Sequence, residues 1–364
     1  MDAAFMSAAP PGGGSLRARL LKKFFQERRA IIVIRLIFWG AVALLVILFG
    51  VAMIAMPGKS FPGPLPPLAR EETEIRDRLK GHIGKLAGEI GERNLQQYEA
   101  LKAAARYIEQ TLRGLNYPLN VQVFKVEGEE VRNLEAERTG NSRMEDIILI
   151  GAHYDTVADS PGANDNGSGV AAMLELARFF ATRHPARTIR LAAFVNEEAP
   201  YFGAEAMGSF VYAREARRKN EKIIGMMSLE TIGYFSDAKG SQQYPLPFSL
   251  LYPDTGNFIG FVANTASRAF LRQTIASFRR HARIPSEGVA SPEWVSGIGW
   301  SDHYAFWKAD YAALMVTDTA PFRYPYYHTA EDTPDKIDYD RLARVVWGLG
   351  LAIEEMAGEN PQNP

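Results

Sequence analysis

A run of 23 residues without a charged side chain, from Leu36 to Gly58, is the feature that most limits how this chain can fold. At about 1.5 Å per residue, a helix over this run crosses the roughly 30 Å hydrocarbon layer of a bilayer. The apolar region of a secretory signal peptide is usually only about 7 to 15 residues long and ends at a small-residue cleavage site. This run is longer and has no such site. The sequence therefore predicts one transmembrane helix over residues 36–58.

Basic side chains are concentrated before the apolar run. Residues 1–35 carry seven Lys and Arg side chains against Asp2 and Glu27, whereas the far side has only Lys59 and then Arg70. Because basic flanks stay on the cytoplasmic side of a membrane, we expect residues 1–35 to form a cytoplasmic tail. The rest of the chain is then periplasmic or extracellular. The whole chain has a net charge of −1, which argues against nucleic-acid binding.

The remaining chain has the pattern of one large domain. Five prolines between Pro57 and Pro67 predict an extended linker over residues 59–70, which leaves residues 71–364 for the domain. Helical periodicity is present over residues 71–115, from about residue 168, and near residues 204–218. Strand-like segments alternate with these helices; they are NVQVFKV, VRNLEAE, DIILIGAHYDT, TIRLAAFV, IIGMMSLE and YAALMVT. Asp338 is expected to cap a last helix. We therefore predict the α/β class, as a three-layer α/β/α domain around a mostly parallel, mixed sheet.

Histidine and carboxylate side chains come at the carboxyl ends of these strands, where such sheets bind ligands. His153 and Asp155 are two residues apart at a strand end, so they face the same way, and a carboxylate there can orient a metal-binding imidazole. Glu197 and Glu198 follow the next apolar strand, and Glu230 ends a third. Adjacent acids diverge, so that one can bind a metal while the other faces a substrate water.

Two further candidates lie in loops. Asp165 is in the glycine-rich segment PGANDNGSG, and His328 is in the polar segment YYHTAEDTPDKID. Two neutral imidazoles with the carboxylates of Asp165, Glu198 and Glu230 carry a charge of −3, which two divalent cations nearly match. Nitrogen and oxygen ligands without thiolates suit catalytic zinc, with manganese or cobalt as open alternatives. Three of the other four histidines lie in polar contexts and are expected to face solvent: His82, His184 and His281. His303, in SDHYAF, is expected to be structural.

Six motifs follow one another in order: GAHYDTV, GANDNGSG, NEEAP, SLETIGY, SDHYAF and YYHTAEDT. Together they resemble the co-catalytic zinc aminopeptidase family, which also contains glutamate carboxypeptidase II, the transferrin receptor ectodomain and glutaminyl cyclases. The resemblance covers roughly residues 80–355. It implies an exopeptidase with two zinc ions, most simply an aminopeptidase that hydrolyses the N-terminal bonds of peptides. The apolar run at residues 36–58 would anchor this enzyme in a membrane.

The resemblance also implies a role for each matching residue. Five would hold the metal ions: His153 and Glu230 one zinc, Glu198 and His328 the other, and Asp165 both. Glu197 would be the general base, and Tyr327 would help to stabilise the oxyanion. Asp155 and Asp302 would contact metal ligands rather than the metal ions, and would thereby orient those ligands. In relatives the bridging aspartate is followed by a cis peptide, so Asp165–Asn166 is expected to be cis.

This chain departs from the family pattern at two places. Glu230 stands where family aminopeptidases more commonly have Asp. The segment EEAPYFGAEAMGS is about four residues longer than the EExGLxGS of many relatives, so it is expected to reshape the substrate pocket and side-chain specificity does not transfer. Candidate walls for an apolar pocket are the aromatics of YPLPFSLLYPDTGNF together with Trp300, Phe322 and Tyr326.

Three alternatives stay open at this point. The first is a glutaminyl cyclase-like enzyme with a single zinc, and the second is a catalytically silent binding ectodomain. The full set of five ligands and the intact Glu197 argue against both. The third is a carboxypeptidase, which would need a basic pocket for the terminal carboxylate; the scattered candidates are Arg183, Arg187, Arg323 and Lys336.

Overall fold

The computed structural model describes residues 15–245 and 248–358, and its contacts divide the chain into two units, Met1–Ala52 and Met53–Pro364. The described residues of the first unit belong to one helix, α1 (Ser15–Ile54), which is long and apolar enough to cross a membrane. The predicted transmembrane segment is thus helical up to Ile54, and residues 55–58 lie outside the helix. Residues 1–14 of the predicted tail lie outside the described residues.

The second unit is built on one mixed sheet, which has eight strands in the described part of the chain. The strands are β1 (Leu119–Val126), β2 (Glu129–Arg138), β3 (Arg143–His153), β4 (Arg187–Phe194), β5 (Ile223–Glu230), β6 (Ile259–Asn264), β7 (Ser286–Ser291) and β8 (Ala313–Thr317). Their order is β1-β2-β4-β3-β5-β8-β6-β7. The central strands β4, β3, β5 and β8 are parallel, β2 is antiparallel to β4, and β6 is antiparallel to β8.

Helices cover both faces of this sheet. They are α2 (Arg70–Ile83), which continues as a wider π-helical stretch (Gly84–Ile90), α3 (Tyr98–Gly114), α4 (Gly169–Phe180), α5 (Gly208–Arg218), α6 (Arg268–His281), α7 (His303–Lys308) and α8 (Tyr339–Ala357). Successive residues of β3 point to opposite faces, so Ile148 packs in the core beneath α4 and α8, whereas Leu149 packs in the core beneath α5 and α7. The predicted three-layer α/β/α fold is confirmed.

Most elements lie where the sequence predicts them, and Asp338 caps α8 by accepting a hydrogen bond from the Arg341 amide at 3.0 Å. The strands β6 and β7 were not predicted, because IGFVAN and SEGVAS are short and contain glycine and polar residues instead of an apolar run. The expectation that His82 faces solvent is wrong. Its side chain is buried between Glu175 and Tyr107, whereas His184 and His281 are exposed.

Candidate metal centre and active site

The adjacent parallel strands β4, β3 and β5 bring their carboxyl ends together at one edge of the sheet. His153 is the last residue of β3 and Glu230 the last of β5, and His153 Nε2 lies 3.2 Å from Glu230 Oε2. Glu197 follows β4 after a turn at Asn196, whose φ of 58° is left-handed. Glu197 Oε2 lies 3.8 Å from the same nitrogen of His153.

Asp165 stands between the two predicted histidine ligands. Its Oδ1 lies 3.4 Å from His153 Nε2, and its Oδ2 lies 3.0 Å from His328 Nε2. His328 Nε2 is also 3.4 Å from Glu198 Oε2. The structure therefore brings all five predicted ligands to one place. The Asp165–Asn166 peptide bond is cis, as the resemblance implied.

Asp155 connects the ends of β3 and β4. Its Oδ1 lies 3.5 Å from Nδ1 of His153 and also accepts a hydrogen bond from the Glu197 amide at 3.1 Å. Its Oδ2 accepts from the Glu198 amide, also at 3.1 Å. One buried carboxylate thus faces the imidazole of His153 and fixes the backbone of both glutamates. This is the position expected of a residue that orients metal ligands from behind.

The free polar atoms of this cluster fit a metal centre. Among the described residues, both ring nitrogens of His153, Oδ2 of Asp165 and Oε1 of Glu198 are buried without a hydrogen-bond partner. One ligand atom each from His153, Asp165 and Glu198 can be chosen so that all lie within 4.8 Å of one another. Buried polar atoms are normally paired, so unpaired nitrogen and oxygen atoms that converge are what a zinc site requires. The residues present therefore fit zinc.

The electrostatics of the cluster show an excess of negative charge. Burial raises the pKa of Glu197 well above its usual value, with Glu198 and Glu230 adding to the effect against His153. Burial and the nearby Asp165 raise the pKa of Glu198 to about 8. Burial opposes a charged His153, but Glu197 and Glu230 raise its pKa overall. Each direction follows from the burial of several carboxylates close together, and a divalent ion bound among them would favour the ionised carboxylates.

Two residues that sequence analysis did not single out support the Asp165 loop. Asp332 accepts hydrogen bonds from the amides of Asn164 and Asp165 at 2.8 and 3.0 Å, and from the Tyr324 hydroxyl at 2.7 Å. Arg93 is fully buried and donates to backbone carbonyls that precede Asp165, among them those of Tyr154, Pro161 and Gly162. Asp332 lies within the quoted motif YYHTAEDT, but nothing in the pattern shows which amides it binds.

Glu230 is held by Ser301, which was also not singled out. Ser301 Oγ donates to Glu230 Oε2 at 2.7 Å and lies 2.9 Å from Ser228 Oγ. The predicted orienting residue Asp302 is fully buried, and neither of its carboxylate oxygens has a hydrogen-bond partner in the described part of the chain. Burial raises the pKa of Asp302 to about 7. Its role as an orienting residue stays a prediction.

Tyr327 and His328 form a stacked pair beside the cluster. Their ring centroids are 3.8 Å apart with an interplanar angle of 18°, and His328 has a left-handed φ of 58°. Burial, and then the carboxylate of Asp165, raise the pKa of Tyr327 above its usual value. The phenol therefore stays protonated at neutral pH and can donate a hydrogen bond. A non-glycine residue at positive φ next to such a cluster is typical of a functional site.

An apolar cleft of about 830 Å³, counting the part open to solvent, begins at Glu230 and Tyr327. The predicted walls Tyr244, Phe248, Tyr252, Trp300 and Phe322 all line it. Residues of β6, β7 and β8 also line it. The predicted wall residue Tyr326 is not among the lining residues in the described part of the chain; its ring packs against Tyr324 and Lys336 instead.

The longer segment after β4 does not line the cleft either, as far as the described residues show. Tyr201 donates a hydrogen bond to Glu127 at 2.9 Å, and Phe202 stacks on Tyr304 with ring centroids 6.2 Å apart. The expectation that this segment reshapes the substrate pocket is therefore not supported for the cleft described above.

The basic residues considered for a carboxypeptidase have other partners. Arg183 pairs with Glu354, Arg187 lies 3.4 Å from Asp146, and Lys336 lies 2.8 Å from Asp335. Arg323 donates to Gln242 at 2.7 Å and to the Phe258 carbonyl at 2.8 Å. None of the four is among the described residues that line the cleft.

Two curated relatives illustrate the range of sequence similarity. The chain is 34% identical to Escherichia coli YfbL over 282 residues, which is 75% of this chain and 86% of YfbL. It is 29% identical to the aminopeptidase YwaD of Bacillus subtilis over 260 residues, which is 70% of this chain and 47% of YwaD. The chain therefore spans most of YfbL but about half of the length of YwaD.

Solved structures show the same fold at lower identity. The zinc aminopeptidase BSAP from Bacillus subtilis matches with a TM-score of 0.62 and 16% identity, over 77% of this chain and 95% of BSAP. A glutaminyl cyclase from Fimbriiglobus ruber matches with a TM-score of 0.56 and 20% identity, over 82% of this chain and 99% of the cyclase. The fold is therefore common to hydrolases and cyclases.

A family profile covers most of the domain. Residues 133–351 match the profile of peptidase family M28, and this range begins in β2 and ends in α8. It contains every predicted ligand from His153 to His328. The resemblance seen in the six motifs is confirmed, and the chain belongs to peptidase family M28.

Proposed function

We propose that this chain is a membrane-anchored, zinc-dependent aminopeptidase. The observation that carries the proposal is the convergence of His153, Asp165, Glu198, Glu230 and His328, with free buried ligand atoms, next to Glu197 and an apolar cleft. Membership of a peptidase family and similarity to proteins named as aminopeptidases support the same conclusion. In this proposal His153 and Glu230 would hold one zinc and Glu198 and His328 the other, and Asp165 would contribute to both.

Zinc bound by these residues would polarise the scissile carbonyl and lower the pKa of a water molecule. Glu197 borders the space between the ligands and is the one carboxylate of the cluster to which we assign no metal. It takes the proton of the attacking water and returns it to the leaving amine. Tyr327, protonated and at the mouth of the cleft, donates a hydrogen bond to the developing oxyanion.

The cleft supports a preference for peptides with a large apolar N-terminal residue. It extends from Glu230 along an aromatic wall that includes Phe248, Trp300 and Phe322. The basic side chains that would favour a substrate carboxylate point to other partners, which supports an aminopeptidase over a carboxypeptidase.

The decisive experiment uses the purified full chain in detergent and matched peptides with free or blocked ends. We expect hydrolysis that stops when the amino end is blocked, persists when the carboxyl end is blocked, and is removed by a chelator and restored by zinc. An enzyme that holds zinc but cleaves no peptide would overturn the proposal. If that enzyme cyclised an N-terminal glutamine, the cyclase alternative would replace it.

We also propose that residues 36–54 of α1 anchor the chain in a bilayer with residues 1–35 in the cytoplasm. The basic residues before the apolar run support this orientation. Protease added to intact cells should then remove the domain while leaving the amino-terminal tail protected. Protection of the domain and cleavage of the tail would show the opposite orientation.

A further inference from the structure

The chain that directly follows α1 is packed along the outer strand of the sheet. Residues 55–60, here called the juxtamembrane segment, belong to the same unit as the domain. The amide of Ser286, the first residue of β7, donates a hydrogen bond to Ser60 Oγ at 2.8 Å. β7 is the last strand of the sheet order, and the free edge of such a strand needs a cover. The juxtamembrane segment covers part of this edge, and it includes the first residues of the predicted linker. The start of the linker is therefore bound to the domain.

Arg279 of α6 joins the juxtamembrane segment to β7. Its Nη1 donates to the carbonyls of Pro57 and Gly58 at 3.1 and 3.3 Å. Its Nη2 donates to the Ser286 carbonyl at 2.7 Å, and its Nε donates to Ser286 Oγ at 3.1 Å. Only a planar guanidinium presents enough fixed donors to hold all four acceptors at once. The segment and the strand are thus fastened through one side chain.

The strand that is fastened in this way forms a wall of the substrate cleft. Glu287, Gly288 and Val289 of β7 all line the cleft. On one side, Met56 packs against Gly288 so closely that a Cβ added there would lie 2.9 Å from Met56 Cγ. On the other side, the hydroxyl of the cleft residue Tyr252 donates to the Gly288 carbonyl at 2.8 Å. β7 is therefore held between the juxtamembrane segment and the aromatic wall.

This wall is far from the metal ligands. Across the sheet Glu230 is paired with Thr317, Thr317 with Gly260, and Gly260 with Glu287. Residues paired directly across a sheet face the same side, and three strand spacings place the Cα atoms of Glu230 and Glu287 about 14 Å apart. A shift of β7 would therefore change the space for a substrate side chain and leave the metal centre in place.

We propose that the juxtamembrane segment supports the substrate cleft by holding β7 in place. Arg279 and Ser60 are positioning residues that fix this strand, the wall of the cleft farthest from the metal ligands, so that large N-terminal side chains fit. The inference rests on the proposed aminopeptidase function. The six residues that directly follow the predicted membrane anchor then also influence which N-terminal side chains the enzyme accepts.

The test uses the full chain in detergent and two peptides that differ only in an N-terminal Phe or Ala. Arg279→Lys keeps the charge but cannot hold four acceptors, and we expect it to raise KM for the Phe peptide about tenfold with kcat and the Ala peptide nearly unchanged. Ser60→Ala should raise the same KM about threefold, and Ser60→Thr, which keeps the hydroxyl, should restore it. Lys59→Ala is the matched control, because this exposed neighbour of Ser60 makes no described contact with β7.

Two results would overturn the inference. One is that Arg279→Lys and Ser60→Ala both leave kcat/KM unchanged for the Phe peptide as well as for the Ala peptide. The other is an equal loss for both peptides, which would show a general structural defect. If Arg279→Lys does not fold, the pair Ser60→Ala and Ser60→Thr decides the question. Wild-type protein that hydrolyses neither peptide contradicts the proposed function instead, so the two failures are distinguishable.

Discussion

Two clusters of buried charge in this domain differ in how their charge is balanced. Glu175 on α4 is buried, but Arg78 Nε donates to its Oε2 at 2.7 Å and His82 Nε2 lies 3.3 Å from its Oε1. The cluster at the strand ends has four buried carboxylates around two histidines; the carboxylates are those of Asp165, Glu197, Glu198 and Glu230. Among the described residues, no Arg or Lys forms an ion pair with these four carboxylates.

The difference distinguishes a structural cluster from a candidate ligand site. A buried carboxylate with its own cation needs nothing else, and its removal should affect only stability. A set of carboxylates with unpaired atoms and no cation is costly unless an ion is added. The comparison therefore predicts that changes at the strand ends alter metal binding and turnover, whereas changes at Glu175 alter the free energy of unfolding.

The largest effect should come from Glu197→Gln. The amide cannot accept the proton of the water, and general-base catalysis contributes about 10²- to 10⁴-fold, so we expect kcat to fall by about that factor. Zinc content, measured by atomic absorption after gel filtration, should remain that of the wild type. Glu205→Gln, an exposed glutamate in the same segment after β4, is the matched control. Full activity of Glu197→Gln would show that another group accepts the proton.

Removal of zinc should have the next largest effect. An ion that binds only the folded state at about 1,000 times its Kd adds about 4 kcal/mol to the free energy of unfolding, which corresponds to roughly 10 °C in Tm for a domain of this size. We expect a chelator to lower the Tm of the wild type and of Glu175→Gln by the same amount. A wild-type Tm that does not respond to a chelator would mean that the strand-end cluster is balanced without a metal.

Much of the strand-end cluster could be predicted from sequence because its residues come at the ends of apolar strands. His153 and Glu230 end two such strands and Glu197 follows a third, and the carboxyl ends of adjacent parallel strands must meet. The Glu175 cluster has no such signal. His82 and Glu175 are 93 residues apart on two helices, and their contact depends on how α2 packs on α4. The polar surroundings of His82 in sequence therefore suggested the wrong environment.

The supports of the site were also beyond sequence analysis. Asp332 reaches amides 167 and 168 residues away, and Arg93 binds carbonyl groups rather than side chains. Hydrogen bonds to the backbone place no demand on the identity of the partner residue, so no pattern marks them. The same holds for Ser60 and Arg279, whose hydrogen-bond partners in the juxtamembrane segment and β7 are backbone groups and one serine hydroxyl.

Asp155→Asn should have an intermediate effect. The asparagine can still accept from one amide, but its NH₂ group cannot accept from the other, so the backbone at Glu197 or Glu198 loses its partner. Loss of a partner that orients metal ligands typically costs about 10- to 100-fold in metal affinity or activity. We expect weaker zinc binding in a competition titration with a chromophoric chelator. Wild-type affinity in this variant would separate Asp155 from the metal centre.

The smallest effect should come from Glu175→Gln, and it should depend on pH. Burial alone would raise the pKa of Glu175, but His82 and Arg78 lower it below the usual 4.5. A folded-state pKa below the unfolded one means that the carboxylate stabilises the fold above about pH 4.5, and that this stabilisation is lost as the pH falls through the folded-state value. At pH 7 we expect the variant to be less stable by about 2 kcal/mol, a modest figure because Arg78 is partly exposed.

Thermal melting of both proteins between pH 7 and pH 3, in excess chelator, measures this dependence without a contribution from zinc. The difference in Tm should be constant down to about pH 5 and narrow below pH 4.5, because the wild-type carboxyl becomes protonated and resembles the amide. Peptide hydrolysis by the zinc-loaded variant at pH 7 should match the wild type, since Glu175 lies on α4 and does not touch the strand-end cluster. A Glu175→Gln variant that loses turnover but keeps the wild-type Tm would contradict the distinction between the two clusters. Glu175, although it is paired with Arg78, would then contribute to catalysis.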